Sequence, residues 1–289
     1  MRLRTFFGTD RLGLSFELFP PKTAEGERSL FRHVAQLMEL RPGFITCTYG
    51  AGGSTRDKTL EIVDRVKQKH GLPVATHLTC VGSTVEQLRV ILAEAQRRGI
   101  DYVVALRGDP PQGQTEFQPM AGGLRHASEL VGLIRQEFPK FGVAVAGYPE
   151  KHREAADAET DLRNLRHKVD AGADVVLTQL FYDNDVFLRF RERCVHAGIR
   201  VPIVPGLLPI TSLSQIQRIT ALCGATLPPA LVSDLARSEQ EDWQFRVGVE
   251  FATRQVERLI SSGVPGLHFY VLNKSQATKA VFEAVSGGR

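Results

Sequence analysis

Cysteine is sparse. Cys47, Cys80, Cys194 and Cys223 are the only four in 289 residues, and no two stand in CxxC spacing. So few thiols cannot staple a chain of this length, which excludes a disulfide framework and makes a reducing cytoplasm the expected setting. No HExxH and no Cys/His cluster occurs, so no metal site is expected. Long apolar runs are missing as well. Nothing approaches the roughly 20 residues that span a bilayer, and the opening MRLRTFFGTDRLG lacks the apolar core of a signal peptide, so neither membrane insertion nor export is expected. Charge of a single sign is also absent: 36 basic and 32 acidic side chains are interspersed, for a net charge of +4, without the basic stripe that a nucleic-acid surface needs. A small anionic ligand suits this balance better.

Hydrophobic residues make up 43% and charged residues 24%, an ordinary globular composition. Eight short apolar runs punctuate the chain: LSFELF, FITCTY, VATHLTC, YVVALRG, VAVAGY, VVLTQLF, PIVPGLL and LHFYVL. Each has strand length, and near-continuous runs such as YVVAL belong to parallel strands covered on both faces. Helical spacing fills the intervals; over 84–98, Val85, Leu88, Ile91, Leu92 and Ala95 share one face. Gly71, Gly99, Gly172 and Gly198 are placed to end helices in left-handed geometry, and Thr84 and Asp183 to begin them. The first four runs recur at about 30 residues, but the Leu/Asn ladder of a solenoid is absent. The pattern predicts an α/β (β/α)8 TIM-type barrel, one domain over 1–289, with an insertion around 225–245, before the last strand, that carries Pro228, Pro229 and Trp243.

In such a barrel chemistry gathers at the C-terminal strand ends. Reading round the ring, the polar residues there are Glu17, Thr48, His77, the Arg107-Gly108-Asp109 turn, Tyr148 with His152, Gln179, and Asn273 with Lys274. Glu17 interrupts SFELF, where a carboxylate must be paired, face a cavity, or be protonated through a raised pKa; the alternatives are a general acid or a buried pair with a neighbouring Arg or Lys. His77 and Gln179 interrupt apolar strands in the same way, and each is alternatively a core residue bonded to a backbone carbonyl. Gly50-Ala51-Gly52-Gly53-Ser54 follows a strand, but Thr55 stands where a dinucleotide fingerprint needs glycine; a loop for phosphate or a plain turn are the readings left. Arg107 ends a strand on a turn that Pro110 and Pro111 stiffen, ready for an anion or for a surface pair with Asp109. Lys22 and Lys274 follow their strands rather than lie within them, which disfavours a Schiff-base lysine.

Seven ordered segments, SFELFPPK, TCTYGAGGSTRDKT, HLTC, ALRGDPP, AGYPEKH, DAGADVVLTQLFYD and PGLHFYVLN, resemble those of the methylenetetrahydrofolate reductases along nearly the whole chain. The resemblance implies a barrel that binds FAD at its C-terminal mouth and reduces 5,10-methylenetetrahydrofolate to 5-methyltetrahydrofolate with NADH or NADPH, the substrates taking turns on the flavin. By the same resemblance Glu17 matches the acid that protonates the folate N10, a role suited to a raised pKa, and Asp109 matches the aspartate beside the flavin. Thr48, His77, Arg107, Gly108, Ala127, Tyr148, His152, Asp161, Asn164 and Lys168 match flavin-contacting positions. Gln179 matches a folate-binding glutamine, and Leu213 and Lys274 fall among the substrate-binding positions. The implied partner is a folate, in a cytoplasmic protein that assembles as a homo-oligomer.

Three departures accompany the match. His126 replaces a usual tyrosine, His167 replaces an arginine found in some bacterial members, and Leu213 replaces an aromatic that packs against nicotinamide or the folate's aminobenzoyl ring. The first two bear on FAD retention and the third on substrate stacking. With the chain ending at Arg289, no S-adenosylmethionine-sensing domain is expected. A flavin-free pterin-binding one-carbon transferase and a non-catalytic partner subunit are the alternatives to a reductase.

Overall fold

The computed structural model describes residues 3–7, 12–49, 56–110, 113 and 116–287. Eight parallel strands close into a barrel in chain order: β1 Gly13–Leu18, β2 Phe44–Cys47, β3 Val74–Thr79, β4 Tyr102–Leu106, β5 Gly142–Gly147, β6 Val175–Leu180, β7 Ile203–Leu207 and β8 Gly266–Tyr270. Each of the eight apolar runs holds one strand. After β1 to β6 come the helices α2 Ala24–Met38, α3 Arg56–His70, α4 Val85–Arg97, α5 Ala127–Glu137, α6 Ala158–Asp170 and α7 Asn184–His196, preceded by a short α1, Leu3–Phe6. Between β7 and β8 the chain forms α8 Leu213–Cys223, α9 Pro229–Ala236 and α10 Glu241–Ser261; α11 Gln276–Gly287 follows β8. The expected insertion is therefore helical, and Trp243 ties it down by donating its indole N–H to the Asp234 carbonyl at 2.9 Å.

The local signals work as the sequence suggests. Thr84 and Gln87 form a reciprocal cap on α4, with Thr84 Oγ1 accepting from Gln87 N at 3.3 Å and Gln87 Oε1 accepting from Thr84 N at 2.9 Å. Asp183 caps α7 through Asp185 N at 2.8 Å. Among the helix-ending glycines, Gly172 reaches φ +116°, where any side chain would be strained. On α4, Leu88, Ile91, Leu92 and Ala95 are buried against the barrel, while Val85 is only partly covered.

Strand alternation sets what faces inward. Leu14, Phe16 and Leu18 of β1 join the core between barrel and helices, so Ser15 and Glu17 point into the barrel. Toward the N-terminal end, the interior is filled by Leu3, Phe7, Phe44, Ala75, Tyr102, Val104, Ala144, Val175, Leu177 and Val204. Leu3, Phe6 and Phe7 plug this floor. Phe6, Phe7 and Phe44 meet edge to face at centroid distances of 4.6–5.9 Å. Glycines make room for them: a Cβ on Gly43 would lie 1.9 Å from the Phe6 ring, and one on Gly266 would lie 2.6 Å from the Phe7 ring.

Candidate functional site

Above the apolar floor the interior turns polar. Glu17 of β1 lies beside Thr46 of β2 and Tyr270 of β8 in register, and His77 of β3 and His268 of β8 approach the same carboxylate oxygen. His77 Nε2 stands 3.2 Å from Glu17 Oε2, and His268 Nε2 stands 3.5 Å from it. Neither imidazole has the alignment of a hydrogen bond, so these are close electrostatic contacts, and both Nε2 atoms and Thr46 Oγ1 are buried without a hydrogen-bond partner. Three such atoms around one buried carboxylate mark a site kept polar for a purpose other than stability. Behind it, Ser15 Oγ and His268 Nδ1 lie 2.8 Å apart, fixing that ring.

The charge state of Glu17 differs from the sequence expectation. Burial is the largest single influence and raises its pKa, but the charge of His77, contacts with both imidazoles and the charge of His268 together outweigh it and hold the carboxyl at about 2. The expected raised pKa is thus corrected: when the imidazoles are charged, Glu17 is a carboxylate. The alternative of a neighbouring Arg or Lys partner does not hold, since the groups beside the carboxylate are histidines. This has an acid-stability consequence. A carboxyl whose folded pKa lies below its unfolded value of 4.5 stabilises the fold above about pH 4.5, and that contribution is lost as pH falls toward about 2. Comparing urea midpoints of the wild type and Glu17→Gln across pH 2–5 should therefore show wild-type stability declining more steeply toward acid; parallel curves would contradict the ion-pair account.

A second group lies across the mouth, on the β4 to β6 side. Asp161, Asn164 and Lys168 share one face of α6 at spacings of three and four, and Asp157 caps that helix through Thr160 N at 2.7 Å. His152 N donates to Asp161 Oδ2 at 3.1 Å, and the Tyr148 and His152 rings meet edge to face at 4.6 Å. Lys168 Nζ lies 5.9 Å from the Tyr148 ring centroid and donates to the Ala146 carbonyl at 2.5 Å. Protein surrounds the ammonium inside this concavity although solvent reaches part of the side chain; desolvation lowers its pKa to about 8, partly opposed by Asp161. Among the described residues no carboxylate lies within ion-pair distance of it.

Arg107 does not pair with Asp109. Its guanidinium forms a fork with Glu154, at 2.7 Å from Nη1 and 2.5 Å from Nη2, and lies 4.9 Å from the Phe117 ring centroid. Hydrogen bonding to Arg107 holds the Glu154 carboxyl below its ordinary range. Asp109 is exposed at the rim, and Gly108 has φ +88° and packs against Val81. Thr48 follows β2 half-buried, Ala127 is buried at the start of α5, and Asn164 and His167 are exposed on α6. His126 precedes α5, its backbone N–H bonded to Glu129. The Gly50–Ser54 loop and Pro111 lie outside the described residues.

On the β6 to β8 side Gln179 folds back, its Oε1 accepting from Leu180 N at 2.9 Å, so it is not the carbonyl-bonded core residue of the alternative reading. Leu213 starts α8 in an apolar cluster with Tyr182, Leu208, Tyr270 and Leu272. Lys274 is exposed in the turn after β8, and Asn273 clasps the Phe19 backbone through both amide atoms, at 2.8 and 2.7 Å. Sequence reasoning missed Ser15, His268, Tyr270 and Glu154. His268 interrupts an apolar strand as visibly as His77 does, and its neighbourhood to Glu17 follows once β8 closes on β1.

The family model described as methylenetetrahydrofolate reductase matches residues 2–286. The 5,10-methylenetetrahydrofolate reductase of Escherichia coli is 40% identical over 273 residues, covering 94% of this chain and 90% of that protein. Methylenetetrahydrofolate reductase (NADH) 1 of Arabidopsis thaliana is 40% identical over 270 residues, covering 90% of this chain and 46% of that protein. The chain thus spans about half the length of the plant relatives it matches. Among solved structures, an uncharacterised protein from Clostridium thermocellum that binds two copies of 5-methyl-5,6,7,8-tetrahydrofolic acid superposes with a TM-score of 0.64 at 15% identity, covering 98% of each chain, a likeness of fold alone.

Proposed function

The chain belongs to the methylenetetrahydrofolate reductase family, and from that premise we propose that it reduces 5,10-methylenetetrahydrofolate to 5-methyltetrahydrofolate through FAD. NADH is the proposed electron donor, in keeping with the names of the plant relatives. In this reading residues 1–289 form one flavin-binding catalytic unit that works in the cytoplasm. The observation that carries it is the buried Glu17 at the barrel mouth, held between His77 and His268.

The residues on the β4 to β6 side suit FAD in kind. Lys168 is an enclosed cation without a carboxylate partner among the described residues, and Arg107 offers a planar fork; both favour a phosphate. Tyr148, His152, Asp161 and Asn164 would line the same cofactor, with Thr48, His77, Gly108, Asp109 and Ala127 around its margin. FAD, when bound, supplies the hydride carrier between the two substrates. The chain's own work is placement and proton supply. With charged imidazoles beside it Glu17 is a carboxylate, and in this reading its proton is supplied by one of them. A pterin covering the mouth removes water and makes the carboxylate costlier, which moves that proton onto Glu17 and from there to the folate N10. Gln179, Leu213 and Lys274 would hold the folate along the β6 to β8 rim. The direct test is spectroscopic: the protein reconstituted with FAD should be yellow, bleach with NADH and recover its colour with 5,10-methylenetetrahydrofolate. A protein that binds no FAD, or that bleaches without recovering, overturns the proposal.

Glu154 bears on cofactor loading. Its carboxylate occupies the guanidinium that an anionic cofactor would use, and the pair is partly exposed, worth about 0–1 kcal/mol. Glu154→Gln is expected to tighten FAD binding about two- to fivefold by flavin-fluorescence titration. Weaker binding would mean that Glu154 holds Arg107 in place for the cofactor rather than competing with it.

A further inference from the structure

The barrel's most irregular seam lies between β6 and β7. Leu177 pairs with Val204, but the next pair is Leu180 with Gly206, so β6 spends one extra residue in a bulge at Thr178 and Gln179. A bulge leaves backbone groups outside the ladder, and in a buried seam each needs another partner. Here the Thr178 carbonyl accepts from Tyr270 Oη at 2.7 Å, Leu180 N–H donates to Gln179 Oε1 at 2.9 Å, and Gly206 N–H donates to Thr178 Oγ1 at 2.9 Å. Tyr270 belongs to β8 and must cross β7 to reach β6. Gly206 permits that crossing: a Cβ there would lie 2.1 Å from the Thr178 carbonyl oxygen and 2.8 Å from Tyr270 Cε2.

We propose that Tyr270 is a positioning residue for the folate, its phenol clamping the β6 bulge from which Gln179 projects. Its hydroxyl and the Gln179 side chain satisfy backbone groups on the two sides of one bulge, so moving either changes the backbone that carries the other. Spending Gln179 Oε1 on the bulge leaves its amide N–H groups for a ligand. The same ring packs edge to face on His268 at 5.2 Å, linking the seam to the Glu17 cluster. Burial drives the phenol's pKa well upward, so it remains an O–H donor.

The proposal rests on the reading of Gln179 as a folate contact, and a double-mutant cycle separates the two. Tyr270→Phe removes only the hydroxyl and is expected to raise the folate KM roughly tenfold, the scale of one unsatisfied buried acceptor, with the NADH KM moved less than twofold. In a Gln179→Ala background the same change should add less than twofold, because the group it positions is gone. Equal effects in both backgrounds, or equal rises in the two KM values, overturn the role of Tyr270. If Gln179→Ala leaves the folate KM unchanged, the reading of Gln179 itself fails. Should Tyr270→Phe not fold, Thr178→Val loosens the same bulge by removing the acceptor of the Gly206 N–H at nearly unchanged shape and is read through the same cycle.

Discussion

Glu17→Gln is expected to slow folate turnover by roughly 10²–10⁴-fold while leaving NADH-driven bleaching of the FAD-loaded protein close to wild type. The substitution keeps the size of the side chain and one carbonyl acceptor. It removes the atom that, in the proposed mechanism, takes a proton from His77 or His268 and hands it on. In the proposed mechanism charged imidazoles hold the carboxyl at about 2, so the catalytic proton reaches Glu17 from one of them. The substitution therefore breaks a transfer rather than emptying a store. Rapid mixing reads the two halves separately: bleaching by NADH, then recovery of colour by 5,10-methylenetetrahydrofolate. Recovery at the wild-type rate would show that Glu17 is not the donor, and equal collapse of both halves would show that the cluster only holds the barrel together.

Lys168→Met is expected to weaken FAD binding about 10- to 100-fold, the worth of a charge-assisted hydrogen bond in a sheltered position. The pH profile adds a sign. An amine with a pKa of about 8 carries its positive charge below that value, so wild-type affinity for an anionic cofactor should fall as pH rises through 8, whereas the methionine variant should lose that inflection. Titration of flavin fluorescence between pH 6.5 and 9.5 measures both. An unchanged dissociation constant at pH 7 would remove Lys168 from the cofactor site.

Much of this was legible because barrel strands and helices announce themselves locally. Apolar runs marked all eight strands, and the caps at Thr84 and Asp183 and the turns at Gly71, Gly99, Gly172 and Gly198 are decided within a few residues. Glu17, His77 and Gln179 stood out as polar interruptions of apolar strands. The environment of Glu17 was not legible, because its partners lie 60 and 251 positions away and their effect depends on two distances at one oxygen. The sign of the pKa shift therefore came out opposite to what burial alone suggested. The Glu154 fork had no signal: it sits in KHREAADAE, a polar loop in which any acidic residue looks solvated. The β6 bulge was hidden in VVLTQLF because one extra residue in a strand does not disturb its apolar pattern.

The floor of phenylalanines below the polar layer makes the barrel a cul-de-sac. Whatever reaches Glu17 must enter and leave by one doorway, so two bulky reactants cannot pass each other inside. On the proposed function, mutual exclusion of the two substrates would then be a matter of traffic before it is a matter of chemistry. Either substrate in large excess should obstruct the other, and double-reciprocal plots at moderate concentrations should give parallel lines that bend upward as one visitor begins to crowd the entrance.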